Sequence, residues 1–246
     1  MARFFVPPEL WESGKFPESE ARHASQVLRL AAGDRVEIFD GTGRAAQAEL
    51  TEVGKRGVVA KILREWREER ARPAIHLVVA LIKNERFDWL VQKATELGAA
   101  SLRPVAAERS VVKLAGKDAD KRRSRWMQAA VEAAKQCGHL VLPEIFPVVS
   151  AAEAFRAAPD GLRGIPALHP GGAALSDFFA GAPDNITFAI GPEGDWTADE
   201  MASARDAGFA PLDLGRHVLR SETAALYALS AASCHFLGGA GGRRQA

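Results

Sequence analysis

The sequence predicts an α/β protein in two parts, a small N-terminal β-barrel followed by a larger domain built on a mainly parallel sheet. Three observations carry this. Short strand-like runs follow one another closely up to residue 63. A highly charged run from Glu65 to Arg72, closed by Pro73, then breaks the pattern. Beyond it, apolar strand runs alternate with amphipathic helical ones, the rhythm of α/β folds. The boundary is placed near residue 72, giving domains over 1–72 and 73–246.

In the first part, Ala24, Val27, Leu28 and Ala31 recur at helical spacing and predict a short amphipathic helix over 22–30, ended by Gly33 and Asp34. Residues 35–39 alternate as a strand into the turn at 40–43, residues 45–53 return as the hairpin partner, and 57–63 supply another strand. In the second part a buried strand over 75–82 precedes a helix whose inner face is Phe87, Leu90, Val91, Ala94 and Leu97, terminated by Gly98. A strand over 102–106, a long helix through Trp126 and Ala134, a helix over 150–157, a strand over 165–168 and a helix over 174–180 follow. The Gly- and Arg-rich tail from 238 to 246 is expected to be disordered.

Composition narrows the function classes. With 246 residues, 47% apolar and 26% charged, the chain has the make-up of a water-soluble globular protein. Its longest apolar runs fall short of the roughly 20 residues that span a bilayer. The start lacks a signal-peptide core, so a cytoplasmic protein with no membrane partner is expected. Cys137 and Cys234 lack metal-ligand spacing and are read as reduced, structural thiols; the six histidines lie far apart, and no metal is expected. The net charge is only +1, but it is unevenly spread. Residues 103–125 hold eight cations against three acids, and residues 140–214 hold three cations against eleven acids. Such a basic run is either a solvated helix face or an edge that meets a polyanion.

The candidate site lies between 186 and 226. An apolar strand over 186–190 runs into Gly191, Pro192, Glu193, Gly194 and Asp195, and Thr197 with Glu200 forms a capping box that opens a helix. A second polar, Gly-bearing loop from Leu214 through Gly215 and Leu219 to Thr223 also leads into a helix. Ligands of open α/β sheets sit beyond the carboxyl ends of the strands, so both loops are expected to face one crevice, with Gly191 and Gly194 letting a ligand approach the main chain. Alone, Gly-Pro-Glu-Gly fits a type I turn with Pro192 at its second position.

The joint pattern is more specific. Gly-Pro-Glu-Gly followed at fixed distance by Leu-Gly-x-x-Val-Leu-Arg-Ser-Glu-Thr-Ala resembles the SPOUT methyltransferases, and within them the 16S ribosomal RNA uridine-N3 methyltransferase family. Further blocks agree: Arg22-His23, Phe39-Asp40-Gly41, the run from Gln92 to Gly98, Glu108-Arg109-Ser110 and the run from Glu132 to Gly138. The chain departs from the family pattern at Asp195, where Gly is usual, and at His139, where Arg is usual.

The resemblance implies an N-terminal PUA-like β-barrel that contacts RNA and a C-terminal α/β domain with a deep trefoil knot. It implies a methyltransferase that uses S-adenosylmethionine to methylate N3 of uracil 1498 in 16S rRNA of the small ribosomal subunit. It assigns the cofactor to Leu168, His169, Gly191, Glu193, Gly194, Leu214, Leu219, Arg220, Ser221 and Thr223; with so small a net charge, RNA contact is expected of local basic residues, Arg22, His23, Arg29, Lys83, Arg86, Arg109, Lys113 and Arg122. It also implies a homodimer, with the apolar helix over 224–236 as contact surface.

Catalysis falls to Arg220 and Glu222. Arg220 either holds a uracil carbonyl or stabilises the developing anion, and Glu222 either accepts the imide proton or orients Arg220. The competing reading is an ion pair bracing a helix start. C5 methylation would need a cysteine nucleophile, and neither cysteine has a visible activating partner. A non-catalytic RNA-binding or assembly factor on the same dimeric scaffold is the alternative function. A nucleotide-binding enzyme is weaker, because no phosphate-loop motif is present.

Overall fold

The computed structural model describes residues 1–54, 57–166 and 171–238, except the side chain of Asn84. The chain forms two units. Met1–Arg70 with Val131–Leu142 make the first, and Ala71–Ala130 with Pro143–Ala246 make the second. The return of Val131–Leu142 to the first unit is invisible to a linear boundary, because one unbroken helix carries the chain from one unit to the other.

In the first unit β1 (Arg3–Phe5) pairs in parallel with β2 (Arg35–Phe39), and β2, β3 (Arg44–Gly54) and β4 (Gly57–Arg67) form an antiparallel meander. Val36, Ile38, Ala46, Ala48 and Leu50 point inward onto Phe4, Val6, Trp11 and Phe16 from the N-terminal segment, which includes α1 (Pro8–Trp11). β4 runs four residues beyond its expected end into the charged stretch. There Arg44 holds Glu65 at 3.0 Å, and Trp66 packs with the cluster of Phe39, Ala45, Ala134 and Leu140.

The expected helix over 22–30 is instead α2 (Glu18–Arg22) widening into a π-helical turn over His23–Val27, with Leu28 N–H donating to the His23 carbonyl at 3.0 Å. The wider turn breaks the 3.6-residue period. Ala24 is buried as expected, but Val27 is 65% and Leu28 43% exposed.

The second unit is a seven-stranded parallel sheet in the order β7-β6-β5-β10-β8-β11-β9. Its strands are β5 (Ala74–Ala80), β6 (Ser101–Val105), β7 (Glu144–Ile145), β8 (Leu162–Pro166), β9 (Ala173–Ala174), β10 (Asn185–Ile190) and β11 (Ala210–Asp213). The helices are α3 (Asn84–Glu96), α4 (Gly116–Cys137), α5 (Ala151–Arg156), α6 (Leu175–Phe178), α7 (Ala198–Asp206) and α8 (Ser221–Leu237). One sheet face carries α3, α4 and α8 over Leu77, Val79, Phe188 and Ile190; the other carries α5 and α7 over Val78, Ala80 and Ala189. Strands covered on both faces read as continuous apolar runs, which is why β5 and β10 were legible.

Three expectations shift. β8 begins three residues before the expected strand, because Gly164 hides a strand position: a Cβ there would lie 2.3 Å from Leu212 Cδ1. The helix over 174–180 shrinks to the single turn of α6. Cys137 and Cys234, expected as structural thiols, are exposed and form no disulfide. The expected tail and the end of the strand over 165–168 lie outside the described residues. Among the described residues no helix is long and apolar enough to cross a membrane.

The last turns of α4 carry a buried ion pair. Lys135 Nζ lies 3.0 Å from Glu20 Oε1, both nearly out of solvent, and Phe5 N–H donates to Glu20 Oε2 at 3.3 Å. Burial pushes the Glu20 carboxyl above its ordinary value, partly opposed by Lys135. A raised carboxylate favours the folded state most below the unfolded value, and that advantage is lost as pH rises through the folded one. Lys135→Ala removes the opposing cation and is expected to cost about 3–5 kcal/mol at neutral pH. The deficit should shrink on acidification as Glu20 takes up its proton. Urea unfolding of both proteins at several pH values checks this, and a pH-independent deficit would mean that lost packing, not the stranded carboxylate, is the cause.

Candidate active site

Three neighbouring strands, β10, β8 and β11, end at the same edge of the sheet. Beyond their carboxyl ends lies a cavity of about 530 Å³, walled by the 190–195 and 212–221 segments with Pro166, Gly171 and Ala224. Its size is that of a small-molecule site. Five consecutive buried residues of β10, from Ile186 to Ile190, fix the strand and deliver Gly191 to the rim. Ser221 Oγ, at the first position of α8, donates to the Gly191 carbonyl at 2.7 Å and ties the two loops together.

The first loop is held from several sides. Asp195 N–H donates to the Pro192 carbonyl at 3.0 Å, so Glu193 and Gly194 are the central turn residues. Pro192 is therefore first in the turn, one place earlier than the sequence suggested. Asp195 stands at φ 59°, the left-handed region, where the family pattern has Gly. Asp can adopt it because a short polar side chain bonds locally, and here Oδ1 accepts from Trp196 N–H at 2.8 Å. Thr197 and Glu200 form the expected capping box of α7, and Glu200 Oε1 also accepts from Glu108 N–H at 2.9 Å. Arg109 Nη1 donates to the Gly194 carbonyl at 3.0 Å. The glycines make room for protein atoms: a Cβ on Gly191 would meet Trp196 Nε1 at 3.1 Å, and one on Gly194 would meet Arg109 Cβ at 3.2 Å.

A second cavity, of about 350 Å³, adjoins the first through Arg220, which lines both. Glu85, Arg86 and Trp89 of α3 and Glu222 and Thr223 of α8 form its walls. Arg86 stands between two carboxylates, 3.7 Å from Glu193 and 3.6 Å from Glu222. Glu222 is 8% exposed, and its Oε2 is buried without a hydrogen-bond partner among the described residues. The cation nearest Glu222 is thus Arg86. Arg220 is exposed at the N-cap of α8 and caps no helix N–H with its side chain.

Of the sequence-assigned cofactor residues, Gly191, Glu193, Leu214, Leu219, Arg220 and Ser221 line the first cavity, and Thr223 lines the second. Gly194 lies in the turn against Arg109. Leu168 and His169 lie outside the described residues. Arg216 of the first cavity falls within the expected loop from Leu214 to Thr223, whereas Asp213 of the first cavity and Trp89 of the second lie outside the sequence-assigned residues. Asp213 ends a strand next to Leu214, a position that could have been found; Trp89 carried no signal beyond its place on a helix.

The residues assigned to RNA divide differently. Lys83 and Arg29 are exposed, and Arg29 has φ 54°. Arg22 pairs with Glu18 at 2.7 Å on the surface, and the half-buried His23 packs edge-on against Phe4. Within 103–125, Arg109 braces Gly194, Lys113 donates to the Ala107 and Glu108 carbonyls, and Arg122 and Arg125 share Asp88. Arg123 donates to the Ile145 carbonyl. Arg103 stacks over Phe146 at 3.7 Å, where burial lowers its guanidinium pKa. Most of this basic run serves the fold, and Lys117 and Lys121 are its exposed cations with no ion pair among the described residues. Among the described residues no cluster of three or more His, Cys, Asp or Glu is placed to hold a metal.

Comparison with known proteins gives this arrangement a family. The model described as RNA methyltransferase domain matches residues 68–233, and that described as RNA methyltransferase PUA domain matches residues 16–63. The ribosomal RNA small subunit methyltransferase E of Bacillus subtilis is 34% identical over 87% of this chain and 87% of its own. That of Mycobacterium tuberculosis is 32% identical over 86% of this chain and 82% of its own. Among solved structures, the Neisseria gonorrhoeae ribosomal RNA small subunit methyltransferase E bound to S-adenosylmethionine superimposes with a TM-score of 0.84 at 32% identity, covering 96% of this chain and 98% of that one. A Legionella pneumophila protein in complex with the same cofactor reaches 0.86 at 31% identity, with 96% and 98% covered. With both family models matched and relatives above 30% identity covered over most of their length, the chain belongs to the ribosomal RNA small subunit methyltransferase E family of SPOUT methyltransferases.

Proposed function

We propose that this protein transfers a methyl group from S-adenosylmethionine to N3 of a uridine in 16S rRNA of the small ribosomal subunit, uracil 1498 by resemblance. The observation that carries the reading is Arg220 on the wall between two cavities, one sized for a cofactor and the other holding a buried carboxylate with an unpartnered oxygen.

The first cavity suits the cofactor. Glu193, Asp195 and Asp213 place three carboxylates around it against the guanidiniums of Arg216 and Arg220, while Ile190, Leu212, Leu214 and Leu219 supply apolar wall. Acidic groups favour a ligand with sulfonium and ammonium charges and disfavour a polyphosphate. When bound, S-adenosylmethionine supplies an electrophilic methyl group on a positively charged sulfur.

The chain's own residues have the other tasks. N3 must lose its proton for its lone pair to bond to carbon, and this reading gives that proton to Glu222. The charge left on the uracil oxygens then meets Arg220, and Arg86 keeps Glu222 from standing as a lone buried anion. Orientation does the rest, since no covalent enzyme intermediate is required. The trefoil knot, cytoplasmic location and homodimer belong to the same proposal. On α8, however, Ala225, Ala228, Leu229 and Ala232 are spent on the core, leaving Tyr227 as its large exposed apolar side chain.

Arg220→Ala is expected to lower the single-turnover rate of methyl transfer roughly a hundredfold or more, with cofactor affinity by calorimetry falling far less. Parallel loss of both would make Arg220 a structural residue. Calorimetry on the wild type also separates the enzyme from a non-catalytic assembly factor, which would bind RNA without the cofactor.

Lys117→Ala with Lys121→Ala is expected to reduce the slope of log RNA affinity against log salt by about 0.7–0.9 per residue, with cofactor binding unchanged. An unaltered slope would remove α4 from the RNA surface. Sedimentation is expected to show a dimer, and a fully active monomer would sink the proposed assembly.

A further inference from the structure

Among the tryptophans, Trp11, Trp126 and Trp196 are buried, whereas Trp89 is 45% exposed. It stands on α3 beside the inward-facing Phe87, Leu90 and Val91, but one turn on from Glu85 and Arg86. Residues three and four apart share a helix face, so Glu85, Arg86 and Trp89 form a stripe. Opposite it is the first turn of α8 with Arg220, Glu222 and Thr223, and the cavity of about 350 Å³ lies between them.

Three features of that cavity select a ligand. The indole offers a flat apolar face, the kind of surface on which nucleic-acid bases stack. Arg220 offers a guanidinium on the wall shared with the cofactor-sized cavity. Glu222 offers a buried carboxylate oxygen with no hydrogen-bond partner among the described residues. An orphaned charged acceptor is costly, and a ligand N–H relieves that cost. An aromatic face with an acceptor and a cation on its edges matches a pyrimidine whose imide N–H lies between two carbonyl oxygens.

We propose that this second cavity receives the target uracil, turned out of its RNA strand, with Trp89 as its stacking wall. Its imide edge is directed to Glu222 and a carbonyl oxygen to Arg220. This rests on the functional reading above and adds a specificity-determining residue that contacts the base without taking part in proton or methyl transfer. A base inside duplex or stacked RNA cannot reach such a wall, so the proposal requires an unpaired or extruded nucleotide.

The test uses the full chain and a short single-stranded RNA containing one uridine. Stacking should quench the fluorescence of Trp89, and the quench should vanish in Trp89→Phe, which keeps a ring but removes the indole. Trp89→Ala should weaken RNA binding by about tenfold or more, Trp89→Phe should recover most of that loss, and S-adenosylmethionine affinity should stay as in the wild type for both. A single-turnover assay read alongside separates the two ideas. A Trp89-dependent quench without methyl transfer counts against the functional reading and for the stacking wall. Methyl transfer with no such quench, and with Trp89→Ala binding RNA like the wild type, overturns the stacking wall alone. A Trp89→Ala protein that changes its sedimentation but not its RNA affinity also overturns it, by making Trp89 a subunit contact.

Discussion

The hydrogen bond from Ser221 Oγ to the Gly191 carbonyl, 2.7 Å long, is the constraint on which the rest of the site depends. Its partners are thirty residues apart, one at the end of β10 and the other at the first position of α8. It joins the two loops that wall the larger cavity and fixes where α8 begins. Arg220 and Glu222 flank Ser221 in sequence, so their positions follow from the same bond. A net hydrogen bond contributes only about 0.5–1.5 kcal/mol to stability, yet this one ties the two loops directly, and Arg86 adds a second link through Glu193 and Glu222.

The fold was legible where the physics is local. β5 and β10 announced themselves as continuous apolar runs, α3 by Phe87, Leu90, Val91 and Ala94, and α7 by Thr197 and Glu200. The two-residue β7 and β9 are shorter than any period, and Gly164 disguised β8 because its contact with Leu212 is non-local. The π-helical turn over His23–Val27 departs from the 3.6-residue period on which a helical sequence pattern rests. At the site the sequence named the loop residues correctly as neighbours. It could not show that Glu222 faces Arg86, because that pairing depends on how α3 packs on α8.

Charge shows the same division between composition and structure. The excess of cations over 103–125 invites an electrostatic reading, yet its guanidiniums are consumed by Asp88, Phe146 and the carbonyls of Gly194 and Ile145. A guanidinium with several donors on a rigid plane is suited to such bracing. Arg109 shows what it achieves: the same loop that presents Glu193 to the cavity is held from behind by a residue 85 positions away.

Arg86 has a wider consequence. One guanidinium divides its field between Glu193, which lines the larger cavity, and Glu222, which lines the smaller, at distances too long for a hydrogen bond to either. A cation placed beside Glu193 would compete with Arg86 for that carboxylate and leave the guanidinium freer to swing toward Glu222, and a proton or N–H given to Glu222 would favour the opposite swing. Free energies of binding are reciprocal, so whatever the first pair gains by the second, the second gains by the first. Such a swing would couple two cavities that Arg220 already joins, each through its own carboxylate.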